Sequence, residues 1–134
     1  MPGRSYGHYC PVAKTLELVG ERWTLLIVRE LLVGPQRFTD LDAALEGIPR
    51  NLLADRLRDL EAEGLVARAE LPPPAARSVY ELTPSGQALL PVIGALAHWG
   101  LTHLPPPEPG EPVSPTLDRL AERFGLPLPK ERMR

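Results

Sequence analysis

The stretch Thr39-Asp40-Leu41-Asp42-Ala43-Ala44-Leu45-Glu46-Gly47-Ile48-Pro49-Arg50-Asn51-Leu52-Leu53-Ala54-Asp55-Arg56-Leu57-Arg58-Asp59-Leu60-Glu61-Ala62-Glu63-Gly64 decides the fold. Leu41 and Leu45 recur at helical spacing before Gly47 interrupts the pattern. Ile48-Pro49 then opens a second helix in which Leu53, Leu57 and Leu60 form one apolar stripe, and Gly64 supplies its stop. Two short helices joined by a tight turn predict a helix-turn-helix. Thr39 followed by Asp42 resembles a capping box for the first of them, with Arg37-Phe38 as a short extended piece before it.

Working outward, Cys10-Pro11 opens an earlier helix with Pro11 suited to the first helical position, carrying Val12, Leu16 and Val19 until Gly20. Another runs from about Arg22 to Val33, with Trp23, Leu26, Ile27 and Leu31 on one side, and ends at Gly34-Pro35. Downstream, residues 65–70 and 77–82 read as two strands around a proline-rich tip at 71–76, a hairpin or wing. Thr83-Pro84 caps a long helix predicted to reach Leu104, bent by Pro91. That helix is apolar nearly all round: Leu89, Leu90, Val92, Ile93, Leu96, Ala97, Trp99 and Leu101 cover most of its circumference. Such a helix is buried on more than one side. One face would meet its own core and the other a second copy of the chain; the alternative is a helix wholly wrapped by its own domain. The expected fold class is mainly α with a small β-hairpin, a winged helix-turn-helix.

The chain has 134 residues, enough for one domain with a core and few for two. Prolines cluster at 72–74, 105–107, 109–115 and 127–129, and the pattern changes after Leu104. The expected organisation is therefore a domain over residues 1–104 and a proline-rich linker and tail over 105–134, where Leu117, Leu120 and Phe124 have helical spacing. No run approaches the roughly 18 apolar residues of a membrane span, and residues 1–10 lack an apolar signal core, so a cytoplasmic location is expected. One cysteine, Cys10, excludes an internal disulfide framework. His8, His98 and His103 are not spaced as a metal pair on one helix face, and no phosphate loop, dinucleotide fingerprint or nucleophile elbow occurs. No metal, cofactor or catalytic residue is expected, and an enzyme is disfavoured.

With the leucine stripe turned inward, a step of about 100° per residue puts Asn51, Asp55 and Arg58 on the opposite face, flanked by Arg50 and Ala54. If this is a recognition helix, its first half meets base edges: Asn51 suits adenine, Arg50 or Arg58 suits guanine, and Ala54 allows close approach. Arg56 points nearer the core and is expected to pair or pack beneath the helix. Phosphate contacts position such a helix. Arg37 and Thr39, at the start of the preceding helix, and Arg68, Arg77 and Ser78, on the wing strands, are the candidates. Two features weigh against this chemistry: the net charge is −2, and Asp40, Asp42 and Asp55 would repel phosphate if they faced it. An interaction module without DNA binding is the alternative these features favour.

Taken in order, Cys10-Pro11, Gly20-Glu21-Arg22-Trp23-Thr24-Leu25-Leu26-Ile27, Arg37-Phe38-Thr39-Asp40-Leu41, Gly47-Ile48, Arg56-Leu57-Arg58-Asp59-Leu60-Glu61, Gly64-Leu65-Val66-Ala67-Arg68, Val79-Tyr80-Glu81-Leu82-Thr83-Pro84-Ser85-Gly86 and Trp99-Gly100 resemble the HxlR-type regulators, a branch of the MarR-like winged-helix proteins. The resemblance spans roughly residues 8 to 101. It implies a transcriptional regulator, in the usual case a repressor. Such a protein pairs through its first and last helices into a homodimer and binds double-stranded DNA at an inverted repeat, with recognition helices roughly 34 to 36 Å apart. It also implies that Cys10 can sense oxidants or electrophiles, since a thiol before a helix is open to activation; the alternative is a small buried apolar residue. Two departures stand out: Pro49 stands where the family often has a capping serine, and the tail after Leu104 has no counterpart.

Overall fold

The computed structural model describes residues 5–75, 77–112 and 114–125. Ala76 of the expected hairpin tip and the Pro127/Pro129 pair lie outside them. The chain groups into two compact units, Met1–Gln87 and Ala88–Arg134. The first unit holds α1 (Pro11–Val19), α2 (Thr24–Leu31), α3 (Phe38–Ala44), α4 (Arg50–Ala62), β1 (Val66–Glu70), β2 (Ser78–Leu82) and α5 (Pro84–Gln87). The second holds α6 (Leu90–His103) and α7 (Pro115–Phe124).

The winged helix-turn-helix of the first unit follows from its punctuation. Pro11 begins α1 with Cys10 as the extended residue before it. Trp23, held at φ 80, turns the chain into α2. Gly47, at φ 93, makes the turn between α3 and α4, and Ile48 anchors that turn in the core. At the far end of α4, Gly64 adopts φ 76; its N–H bonds to Glu61 O at 3.1 Å and that of Leu65 to Leu60 O at 3.0 Å. This pair of bonds satisfies carbonyls the helix would otherwise orphan. The strands pair antiparallel with Val66 opposite Leu82 and Arg68 opposite Tyr80.

Leu53, Leu57 and Leu60 are at most 1% exposed and bind α4 into a core shared with Ile27, Val28, Leu31, Leu41 and Leu45. Truncating any one of these leucines to alanine costs about 2–5 kcal/mol. α4 packs on β1, and α2 on β2 and α3. The hairpin is widened by a bridge that the sequence pattern does not show: Gln36 N–H bonds to Tyr80 O at 3.0 Å and Tyr80 N–H to Gln36 O at 2.7 Å.

Four local expectations change. Leu26 is exposed and Val28 takes its place inside. Val12 and Leu16 are exposed on α1, whose buried residues are Glu17 and Val19. The capping carboxylate of α3 is Asp40, two residues earlier than expected, so Arg37 is the cap position and Thr39 lies inside the first turn. The long helix from Thr83 is two helices: Pro91 has no N–H to continue the first, and it falls in the opening turn of α6 instead of bending its middle.

Candidate nucleic-acid interface

The outward face of α4 is built as its spacing requires. Arg50, Asn51, Asp55 and Arg58 are exposed, Ala54 is half-buried between them and the core, and Leu53 and Leu57 hold the opposite side. Arg56 turns under the helix: its Nε–H bonds to Arg22 O at 3.1 Å, and its guanidinium lies 3.6 Å from Glu21 and 3.8 Å from Asp59. It therefore ties α4 to the start of α2, a positioning contact away from the exposed face.

Arg37 and Thr39 sit at the entrance to α3, both exposed. The Asp40 carboxylate accepts from the Arg37 backbone N–H at 2.9 Å and from its guanidinium at 2.8 and 3.1 Å. Hydrogen bonding to the Arg37 side chain, then to its backbone, holds the Asp40 carboxyl below the usual carboxylate range; burial opposes this, and the charges of Arg37 and Arg77 add to the lowering. The same hydrogen bond and charge raise Arg37 above its ordinary value. Arg77 is exposed just ahead of β2. Arg50 reaches back over the Phe38 ring, 5.4 Å from its centroid, and lies 3.5 Å from Asp42.

On the wing, Arg68 of β1 stacks over Tyr80 at 5.0 Å and pairs with Glu61 at 3.3 Å. Ser78 donates to Glu70 across the hairpin. Leu71 N–H bonds to Arg77 O at 2.8 Å, closing the ladder below the Pro72-Pro73-Pro74 tip. The base of the wing is pinned by the Thr-Pro-Ser-Gly turn. Thr83 and Ser85 hydroxyls both donate to Gly64 O, at 2.6 and 3.0 Å, and Thr83 N–H donates to Leu65 O at 3.0 Å. Gly86 passes so close that a Cβ there would lie 2.2 Å from Leu65 O. The sequence motif is thus a clamp joining the end of α4, the root of the hairpin and α5.

Cys10 is half-buried ahead of α1. Two apolar faces are exposed in the unpartnered chain: Tyr9, Val12 and Leu16 on and before α1, and Val92, Leu96 and Trp99 on α6, where Trp99 stacks on His103. Among the described residues no group of three acidic, histidine or cysteine side chains could hold a metal ion, and no helix is long and apolar enough to cross a membrane.

A helix-turn-helix with an exposed polar face on its second helix and a hairpin wing defines the class of winged-helix transcriptional regulators. Residues 18–108 match the HxlR-like helix-turn-helix family. The chain is 39% identical to the HTH-type transcriptional regulator YvaP of Bacillus subtilis, over 72% of this chain and 91% of that one. It is 47% identical to the regulator Rv3095 of Mycobacterium tuberculosis, over 76% of this chain but only 63% of that longer relative. Among solved structures, a MarR-family regulator of Porphyromonas gingivalis superposes with a TM-score of 0.67 at 33% identity, covering 75% of this chain and 99% of that one. Quinone-bound YodB of B. subtilis superposes with a TM-score of 0.59 at 33% identity, covering 68% and 97%. The chain belongs to the HxlR-like helix-turn-helix family, a family of transcriptional regulators that binds DNA.

Proposed function

We propose that this protein is a sequence-specific repressor that binds an inverted-repeat operator as a homodimer. The observation that carries the reading is the polarity of α4, with Arg50, Asn51 and Arg58 outward and Leu53, Leu57 and Leu60 inward. In this reading α4 enters the major groove, where Asn51 reads adenine and Arg50 or Arg58 reads guanine, with Ala54 permitting close approach. Arg37 and Thr39 at the entrance to α3, and Arg68, Arg77 and Ser78 on the wing, take phosphates. The partner is a second copy: the exposed apolar faces of α1 and α6 are the kind of surface a stable dimer covers.

The test is a mobility shift on a duplex selected from a random pool, across a salt series. Binding to the selected duplex that weakens steeply with salt supports the regulator. No retention of any duplex at the lowest salt favours the alternative, an interaction module that has lost DNA.

A thiol response at Cys10 is part of the proposal. The position is half-buried, the chain offers no second cysteine for an internal disulfide, and the structural relative YodB has been solved with a quinone bound. Attack of the Cys10 thiolate on an electrophilic quinone would form a C–S bond as the ring C=C π bond opens toward a carbonyl oxygen. That oxygen takes the proton the thiol gave up, and the proton on the attacked ring carbon passes to the second oxygen, giving the S-linked hydroquinone. Quinone treatment should add mass to the wild type and release the selected duplex; Cys10→Ala should do neither. Equal release from both proteins would remove the sensing role.

A further inference from the structure

The acidic residues that argue against DNA binding from sequence stand in a consistent relation to the basic ones. Arg37 pairs with Asp40, Arg50 with Asp42, Arg58 with Asp55 and Arg68 with Glu61. In each pair the arginine is the more exposed side chain: 46% against 35%, 67% against 27%, 66% against 52%, and 51% against 31%. Each of these arginines therefore offers more of its side chain to solvent than the carboxylate that holds it. All four arginines are those assigned above to bases or phosphates, so this inference rests on the DNA-binding reading.

We propose that these carboxylates are specificity determinants, suppressing sequence-independent attachment to DNA while orienting the arginines that read it. A carboxylate kept beside a phosphate retains a cation and cancels one released counterion, so the general electrostatic attraction to any duplex is weakened. At a cognate site the arginine gains a bidentate base or phosphate partner, with geometry that compensates for loosening its carboxylate. At a random site it gains only a charge contact and keeps the repulsion. The pairs thus lower random affinity more than cognate affinity, which widens the ratio between them. Binding also begins from side chains already confined, so less rotamer freedom is lost on docking.

Asp55 is the position to change, because it is exposed on the surface of α4 and caps nothing, whereas Asp40 also holds the α3 backbone. The experiment compares full-length wild type, Asp55→Asn, and Glu122→Gln, a same-charge change on the exposed surface of α7. Each is titrated with a wild-type-selected duplex and with an unselected duplex of equal length over a salt series, after circular dichroism shows the same helix content. Asp55→Asn should bind the unselected duplex about threefold tighter per protomer. Its salt slope should steepen by about 0.9 per protomer. The selected duplex should gain less or lose affinity, and Glu122→Gln should change neither.

Unchanged affinity and slope on the unselected duplex, an equal gain on both duplexes, or the same gain from Glu122→Gln would overturn the inference while leaving the regulator reading intact. Failure of the wild type to bind any duplex would overturn both.

Discussion

Replacing Gly86 with alanine inserts a methyl group where the chain has no room. The new Cβ would lie 2.2 Å from Leu65 O, 3.2 Å from Leu65 C and 3.0 Å from Leu82 Cδ2. The nearest of these is backbone at the root of the wing, so no side-chain rotation relieves the clash; the turn over residues 83–86 must lift away from β1. Lifting endangers three hydrogen bonds, from Thr83 N–H to Leu65 O and from the Thr83 and Ser85 hydroxyls to Gly64 O. At about 1 kcal/mol each their loss costs about 3 kcal/mol. Alanine's better helix propensity returns about 1 kcal/mol, leaving a net loss of about 2 kcal/mol. For a domain of this size that corresponds to a fall of roughly 10 °C in the thermal midpoint, read by circular dichroism. Gly100→Ala on α6 is the comparison: its Cβ would meet only the Leu104 Cδ1 side-chain atom, at 3.4 Å, and the midpoint should hold or rise. A Gly86→Ala protein as stable as the wild type would refute the clamp.

Other outcomes follow from the same geometry. Asp40 has its pKa lowered by Arg37, so the stability it contributes is present above the unfolded carboxyl pKa of about 3.9 and disappears as pH falls through the lower folded value. Thermal midpoints of wild type and Asp40→Asn should therefore differ at neutral pH and converge on the acid side of that window; a gap that persists at the most acid pH would contradict the pairing. Asn51→Ala should relax preference at one base position, losing about 1–3 kcal/mol at the selected site and little elsewhere, as read by competition with single-base variants. Arg77→Ala should weaken selected and unselected duplexes alike and make the salt slope shallower by about 0.9 per protomer; base-specific loss from Arg77→Ala would reverse the two roles.

Much of the fold is legible because its signals are local. The leucines at 53, 57 and 60 and the glycines at 47 and 64 each specify an element within one or two turns, and the structure has those elements where the pattern puts them. Thr83-Pro84 marks a helix start correctly, but the helix it opens ends at Gln87 and a second begins at Leu90. The exposed face of α4 is legible for the same reason, as it is the complement of the leucine stripe. What was not legible depends on partners distant in the chain or on single residues in unusual roles. The Gln36–Tyr80 bridge is too short to show a period of two. Arg37 as the cap of α3 escapes rules that look for serine, threonine or aspartate at that place. Leu26 and Val28 are both apolar on a short helix, and only packing decides which is inside. The meaning of Asp42 changed most. From sequence it is a charge that repels phosphate; in three dimensions the turn after α3 brings it to Arg50, eight residues on.

The most direct probe of the account places a DNA-cleaving iron chelate on the side chain at position 51, using Asn51→Cys in a Cys10→Ala background so that only one thiol is labelled. On the selected duplex, cutting should fall at two places about one helical turn apart, each within a half-site and with the strand offset of a major-groove source. Uniform weak cutting along a duplex that the labelled protein still binds, or cuts with the minor-groove offset, would show that α4 is not the element that reads DNA.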